Sequence, residues 1–217
     1  MTRLLSLDRQ PYRETLALMR EIHGKVAAGA EPDTWLVVEH DPVVTLGRNA
    51  KRTSLRVAPE LLAAQGIELV EVERGGDATY HGPGQVVVYP ILRLERFREI
   101  VPLVSALERG AIAALATFGI VAHPRSEHRG VYVGENAICA VGLAVKAMTS
   151  MHGISLNVCP ELDYDRWIDP CGAPEFGLTS IARELGCNVT WECGRDALLA
   201  ALESEFAIAF EREAVAS

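Results

Sequence analysis

What this chain has little of narrows it first. It contains no stretch of about eighteen consecutive apolar residues, so no membrane-spanning helix is expected. The opening Met1-Thr2-Arg3-Leu4-Leu5-Ser6-Leu7-Asp8 is too short and too soon charged for a secretory leader. A cytoplasmic protein without membrane association is the expectation. Cysteines are few and show no Cys-x-x-Cys spacing; Cys139, Cys159, Cys171, Cys187 and Cys193 form an odd set. That pattern argues against a zinc site and against a disulfide framework, so no metal is expected. Positive charge is in deficit, with a formal net charge of -8, which argues against nucleic acid as a partner. Lysine is the scarcest cation, with only Lys25, Lys51 and Lys146. Internal repeats and low-complexity linkers are absent too.

What is there amounts to 217 residues, 49% of them hydrophobic, enough for a packed core and one domain over residues 1–217. Leu16, Met19, Ile22 and Val26 recur at helical spacing and Gly29 follows, which predicts a helix with its stop signal. Residues 35–39 and 43–46 read as strands joined through His40-Asp41-Pro42. A short helix over 59–64 and a half-buried strand over 67–72 come next. A buried strand is expected over 86–92 and a core-packed helix over 102–118. Strands over 130–134 and 137–145 form a hairpin around Glu135-Asn136, and another strand covers 150–158. Helices over 179–185 and 195–210 close the chain, ending in a short tail. Strands and helices do not alternate regularly, and several strand pairs are joined by short polar turns. The expected class is α+β, with a mixed, largely antiparallel sheet flanked by helices.

The densest chemistry lies in Arg74-Gly75-Gly76-Asp77-Ala78-Thr79-Tyr80-His81-Gly82-Pro83-Gly84-Gln85. This is longer than any plain turn, and it reads as a site floor or a substrate-gripping loop. Its glycines supply bare backbone, and its polar side chains supply donors, acceptors and an imidazole. His81 and His152 are the candidate functional histidines; His23, His40, His123 and His128 read as surface residues or loop hydrogen-bonders. Cys171, flanked by Pro170 and Gly172, lies on a loop and is the candidate nucleophile. Cys139, mid-strand among Ile138, Ala140 and Val141, reads as a small buried hydrophobe. A free thiol with pKa near 8.5 is only about 3% thiolate at pH 7, so the nucleophile needs an activator.

In order along the chain, these stretches resemble the lipoyl(octanoyl) transferases, whose fold is similar to that of biotin and lipoate protein ligases. The Arg74–Gln85 segment carries the resemblance most specifically. It is joined by Leu36-Val37-Val38-Glu39-His40-Asp41-Pro42-Val43-Val44-Thr45-Leu46-Gly47-Arg48, by Ile138-Cys139-Ala140-Val141-Gly142, by Met151-His152-Gly153-Ile154-Ser155-Leu156-Asn157-Val158, and by Pro170-Cys171-Gly172 with Thr179-Ser180 after it. The likeness runs over roughly residues 12 to 190, and ordered motifs are more specific than any one of them. It implies that Cys171 takes an octanoyl group from octanoyl-acyl carrier protein as a thioester. The group then passes to a lysine on lipoyl domains of 2-oxoacid dehydrogenase complexes or on the glycine cleavage H protein. No cofactor is implied, and a monomer is expected. The substrate cradle would comprise Arg74, Gly75, Gly76, Asp77, Ala78, Thr79, Tyr80 and His81, with Ala140, Val141 and Gly142, and with Gly153, Ile154 and Ser155.

The chain departs from the resemblance at one place. The family sets a lysine just before the Ile-x-Ala-x-Gly strand, facing the cysteine; here that position is Ala137. Lys146, nine positions on in the same strand, falls on the opposite face. The departure predicts a poorly activated Cys171 and a weakened or inactive transferase. Two other readings compete: an ATP-dependent lipoate or biotin ligase, and a non-catalytic module that binds the acyl chain or its carrier. Arg48, Lys51, Arg52 and Arg56 form the candidate docking patch for an acidic carrier.

Overall fold

The computed structural model describes residues 2–125, 128–168 and 177–214. The chain opens with β1 (Thr2–Gln10), α1 (Tyr12–Ala27), β2 (Thr34–His40), β3 (Val43–Leu46), α2 (Pro59–Ala64), β4 (Glu68–Glu71), β5 (Ala78–His81) and β6 (Gln85–Ile91). It continues with α3 (Ile100–Thr117), β7 (His123–Pro124), β8 (Gly130–Val133), β9 (Asn136–Lys146) and β10 (Thr149–Asn157). It ends with β11 (Gly177–Leu178), α4 (Ile181–Leu185), α5 (Trp191–Phe206) and β12 (Phe210–Ala214).

Among the described residues one large sheet has the order β12-β1-β2-β6-β10-β9-β8-β7, with β11 added beside β9, and a three-stranded sheet has the order β4-β3-β5. The pairs β1–β12, β1–β2, β9–β11 and β3–β4 are parallel, and the other pairs are antiparallel. The mixed, largely antiparallel sheet expected from the sequence is present.

Its central strands are buried on both faces, which is why they read as unbroken apolar runs. Trp35 and Val37 of β2, with Val86 and Val88 of β6, face the core built by α3 and α5. Leu36 and Val38, with Val87 and Tyr89, face α1 through Leu16, Met19, Ile22 and Val26. The period-two alternation of a strand thus distributes one apolar run between two helical layers. Helix α3 is long and apolar enough to cross a membrane by length and composition; here its Leu103, Leu107, Ala111, Ala114 and Leu115 are buried in the sheet-facing core.

Three expectations are corrected. Residues 35–39 and 43–46 are strands, but β2 and β3 belong to different sheets, and the short link through Pro42 carries the chain from one to the other. The last helix begins earlier than 195, because the Thr190 hydroxyl caps it by accepting from the Cys193 N–H at 3.3 Å. It stops at Phe206, after which Ala207 turns left-handed at φ 51° and β12 follows instead of a helical tail.

Candidate active site

The glycine-rich segment is a loop stitched down on two sides. Residues 47–49 run against it: Gly47 N–H donates to Asp77 O at 3.2 Å, Arg48 N–H to Arg74 O at 3.0 Å and Asn49 N–H to Gly76 O at 3.1 Å. On the other side Gly75 N–H donates to Leu143 O at 2.8 Å, laying the loop along β9. A Cβ on Gly47 would stand 2.5 Å from Gly76 O, so only glycine permits this approach. Arg74 lies buried beneath the loop. Its Nη2 donates to the Thr45 carbonyl at 2.7 Å and to the Thr45 hydroxyl at 2.8 Å. This charged side chain therefore pins the loop to β3.

The loop roofs a cavity of about 770 Å³. Gly75, Gly76, Asp77, Thr79 and His81 line it with Arg74. Ala140, Val141 and Gly142 come from β9, and His152, Gly153, Ile154 and Ser155 from β10. Tyr12, Val87 and Tyr89 close the back, and Val104 and His128 contribute from the far side. Asn49, Lys51 and Arg129 line the cavity and are exposed, so they mark its mouth.

Two expected cradle residues lie elsewhere. Along β5 alternate side chains turn to opposite faces. Ala78 is fully buried in a satellite core, and Tyr80 stacks on Tyr164 with ring centroids 4.7 Å apart. Both line a smaller adjoining cavity of about 30 Å³, shared with Thr79, Ala140 and Ser155. Ala137 lines this small cavity too, together with Ile168 and Leu178. Cys171 lies outside the described residues. Ile168 before its segment and Leu178 after it both border the small cavity; Leu178 pairs with Ala137, and Thr179 N–H donates to Ala137 O at 3.0 Å.

Behind the main cavity sits a buried aromatic and imidazole cluster that the sequence did not announce. His40 is fully buried, not a surface residue. Its Nδ1 faces the Gln10 carbonyl at 3.3 Å and its Nε2 the Tyr89 hydroxyl at 2.8 Å. A carbonyl only accepts, so Nδ1 carries the proton and Nε2 accepts from Tyr89. Burial pushes His40 down to about 4, keeping the ring neutral. His81 stacks on Tyr12 at 6.3 Å, and its Nδ1 donates to Gln85 Oε1 at 3.2 Å. Burial drives His81 well below the ordinary histidine range, so its Nε2 is left as an acceptor. His23 is structural, lying between the carbonyls of Lys146 and Thr149.

His152 departs from ordinary strand geometry. Its φ is +58°, a left-handed conformation that a bulky ring adopts only under constraint. It is buried, and neither ring nitrogen has a hydrogen-bond partner among the described residues. The Glu73 carboxylate stands 3.6 Å from Nε2, beyond hydrogen-bond range, and is itself gripped by Arg20 through two bonds of 3.2 and 3.0 Å. Burial lowers the His152 pKa. No cluster of three metal-ligating side chains occurs among the described residues.

Comparison with known proteins aligns with this geometry. The family described as the lipoyl protein ligase A/B catalytic domain matches residues 11–203. An octanoyltransferase of Syntrophobacter fumaroxidans is 45% identical over 188 residues, which cover 86% of this chain and 82% of that protein. A probable octanoyltransferase of Pyrobaculum arsenaticum is 42% identical over 184 residues, covering 85% and 82%. Among solved structures, a lipoate-protein ligase A bound with ATP superposes with a TM-score of 0.83 over 100% of this chain and 90% of that chain, at 18% identity. A bipartite lipoate protein ligase of Thermoplasma acidophilum, described with its E2 lipoyl domain, gives 0.79 over 100% and 88%, at 17% identity. At such identities the solved structures show a shared fold, and activity is a separate question.

Proposed function

The chain belongs to the lipoyl protein ligase A/B catalytic-domain family, and on that premise we propose that it is an octanoyltransferase of protein lipoylation. One observation carries the reading. The glycine-rich loop, the β9 segment Ala140–Gly142 and the β10 segment Gly153–Ser155 converge on one cavity, and the relatives that share this chain at about two residues in five are named octanoyltransferases. ATP-dependent ligation rests on the breadth of the family, which spans lipoyl protein ligases A and B, and on neighbours at 18% identity or less, which speak for the fold alone.

In the proposed reaction the Cys171 sulfur, having given up its proton, bonds to the carbonyl carbon of an octanoyl thioester. The carrier's sulfur departs and takes up a proton. The ε-amine of a lysine on a lipoyl domain then bonds to the same carbon, the Cys171 sulfur leaves, and the amine's proton returns to it. This is a ping-pong acyl transfer with a covalent intermediate. The thioester already holds the driving force. Val87, Val141 and Ile154 supply apolar wall for the eight-carbon chain, each buried methylene contributing about 0.8 kcal/mol. The His81 Nε2 acceptor suits an incoming amine N–H better than a carbonyl oxygen, which would need a donor. The acyl carrier protein as donor, and lipoyl domains as acceptors, belong to this proposal.

The test is intact-protein mass spectrometry after mixing the chain with octanoyl-acyl carrier protein. The expected result is an octanoyl adduct that Cys171→Ala abolishes and that an apo lipoyl domain discharges. An adduct unaffected by that substitution, or none at any donor concentration, sinks the proposal.

A further inference from the structure

We propose that the mouth of the cavity is a phosphate site, in which Lys51 and Arg129 bind the phosphate of the arm that presents the acyl thioester, with Glu108 positioning Arg129. The inference deepens the octanoyl-transfer reading and rests on it.

Space is the first argument. An octanoyl group has nine or ten heavy atoms, and at roughly the 30 Å³ that a water molecule occupies it fills about 300 Å³. The cavity holds about 770 Å³, so more than half of it is left for whatever delivers the acyl chain. Charge is the second. The chain as a whole carries -8, yet the cavity is lined by Lys51, Arg74 and Arg129 against one carboxylate, Asp77. A cleft whose sign opposes that of the molecule concentrates anions at its opening. Arg74 is deep and bound to Thr45, which leaves Lys51 and Arg129 to meet a ligand.

Arg129 is also held from behind. Glu108 sits in α3 with its side chain only 3% exposed, a position where a carboxylate needs full compensation. One of its oxygens accepts from Gly130 N–H at 3.0 Å and the other from Arg129 Nη1 at 3.1 Å. Nη1 also reaches the Ser105 hydroxyl at 3.4 Å. Arg129 is thus tethered through one nitrogen, while Nε and Nη2 make no bond to the described residues. Those donors retain the planar fork that matches a phosphate. Lys51 lines the same cavity, follows the loop stitched to Arg74–Asp77, is exposed, and forms no ion pair among the described residues. A guanidinium fork and an ammonium point charge lining one cavity suit a phosphodiester's single negative charge.

The experiment measures equilibrium binding, independently of turnover. The probes are an octanamide analogue of phosphopantetheine, in which NH replaces the thioester sulfur so that no transfer occurs, and its dephosphorylated counterpart. The phosphorylated probe is expected to bind about tenfold more tightly at low salt, with the advantage shrinking as salt rises. Arg129→Gln should remove most of that advantage, Arg129→Lys should keep some of it, and Lys51→Gln should halve it or more, while affinity for the dephosphorylated probe stays unchanged. Glu108→Gln still accepts from Gly130 N–H but no longer steadies the guanidinium by charge. It should reduce the phosphate advantage alone, whereas a purely structural Glu108 would change both affinities together. Equal affinity of the two probes for the unsubstituted chain overturns the proposal. So does an advantage that appears only with an intact acidic carrier, which would assign the two cations to carboxylates on its surface. Octanoyl transfer with equal probe affinities sinks the phosphate site alone; phosphate discrimination without any transfer sinks the octanoyltransferase reading alone.

Discussion

At Ala137 a methyl group stands where the resemblance places a lysine, and it borders a cavity of about 30 Å³ with room for roughly one water. Ala137→Lys should bring an ammonium to the wall that Ile168 and Leu178 share. By lowering a thiol from near 8.5 toward 7, it should raise octanoyl transfer about tenfold at pH 7. Transfer rates of the two forms at pH 7 and at pH 9 check this; the gain should shrink at pH 9, and equal rates at pH 7 refute it. The buried cluster makes a second prediction at the same scale. Tyr89→Phe removes the hydroxyl that His40 Nε2 accepts from at 2.8 Å, leaving a fully buried nitrogen without a partner. The expected loss is about 1–3 kcal/mol, read as a lower urea midpoint with an unchanged slope. This cluster was illegible in the sequence. Tyr12, His40, His81 and Tyr89 meet only because the start of α1 lies by the ends of β2 and β5 and against β6, and no local spacing encodes that meeting. By contrast, the glycine-rich loop and the small residues of β9 and β10 were legible, since bare backbone and polar density leave a local signal. Ala78 and Tyr80 were misplaced because a loop reading ignores the strand alternation that turns them away from the main cavity and into the satellite core.

The elements carry their own test in a pair of glycines. A Cβ on Gly153 would lie 2.1 Å from Val88 O and 2.6 Å from Pro90 Cδ, both across the β10–β6 pairing. Gly153→Ala must push these paired central strands away from each other and should cost about 3 kcal/mol or more. Gly24 lies inside α1 with nothing within 4 Å of its Cβ direction. Gly24→Ala should therefore stabilise by about 0.5–1 kcal/mol. Thermal midpoints that moved the same way in both variants would refute this reading of the packing. Element boundaries were legible where apolar periodicity was strong, as in α1, α3 and β6. They failed where strands are short or charged. The strand β5 is four residues inside a glycine-rich stretch, and β12, Phe-Glu-Arg-Glu-Ala, resembles a helical tail. Charged residues on an outermost strand discourage edge-to-edge association, and the same charges hide the strand from pattern reading.

For the molecule as a whole, the buried imidazoles set a pH window. Burial holds His40 at about 4, against an ordinary 6.5, and lowers His81 and His152 as well. The unfolded chain then binds these protons more readily than the folded one. The stability they confer is complete above about pH 6.5 and is lost as pH falls toward 4. His40 alone accounts for about 3 kcal/mol over that range. Urea midpoints measured from pH 7.5 down to 4.5 should decline, and a flat profile would refute the neutral, buried assignment.

The pairing of β1 with β12 has a consequence for how the molecule is made. Thr2 pairs with Phe210 and Ser6 with Ala214, so the paired strands are separated by nearly the full described chain. Closing a loop of that length costs about 5 kcal/mol in chain entropy before any ladder bond forms. On a ribosome β1 and β2 emerge before the rest of this sheet, and the outer edge of β1 then waits unpaired while the remaining strands are synthesised, a delay on the order of ten seconds or more. During synthesis, then, the first strand is a sticky edge in search of a partner that does not yet exist, and this is the interval in which the nascent chain is most exposed to mispairing.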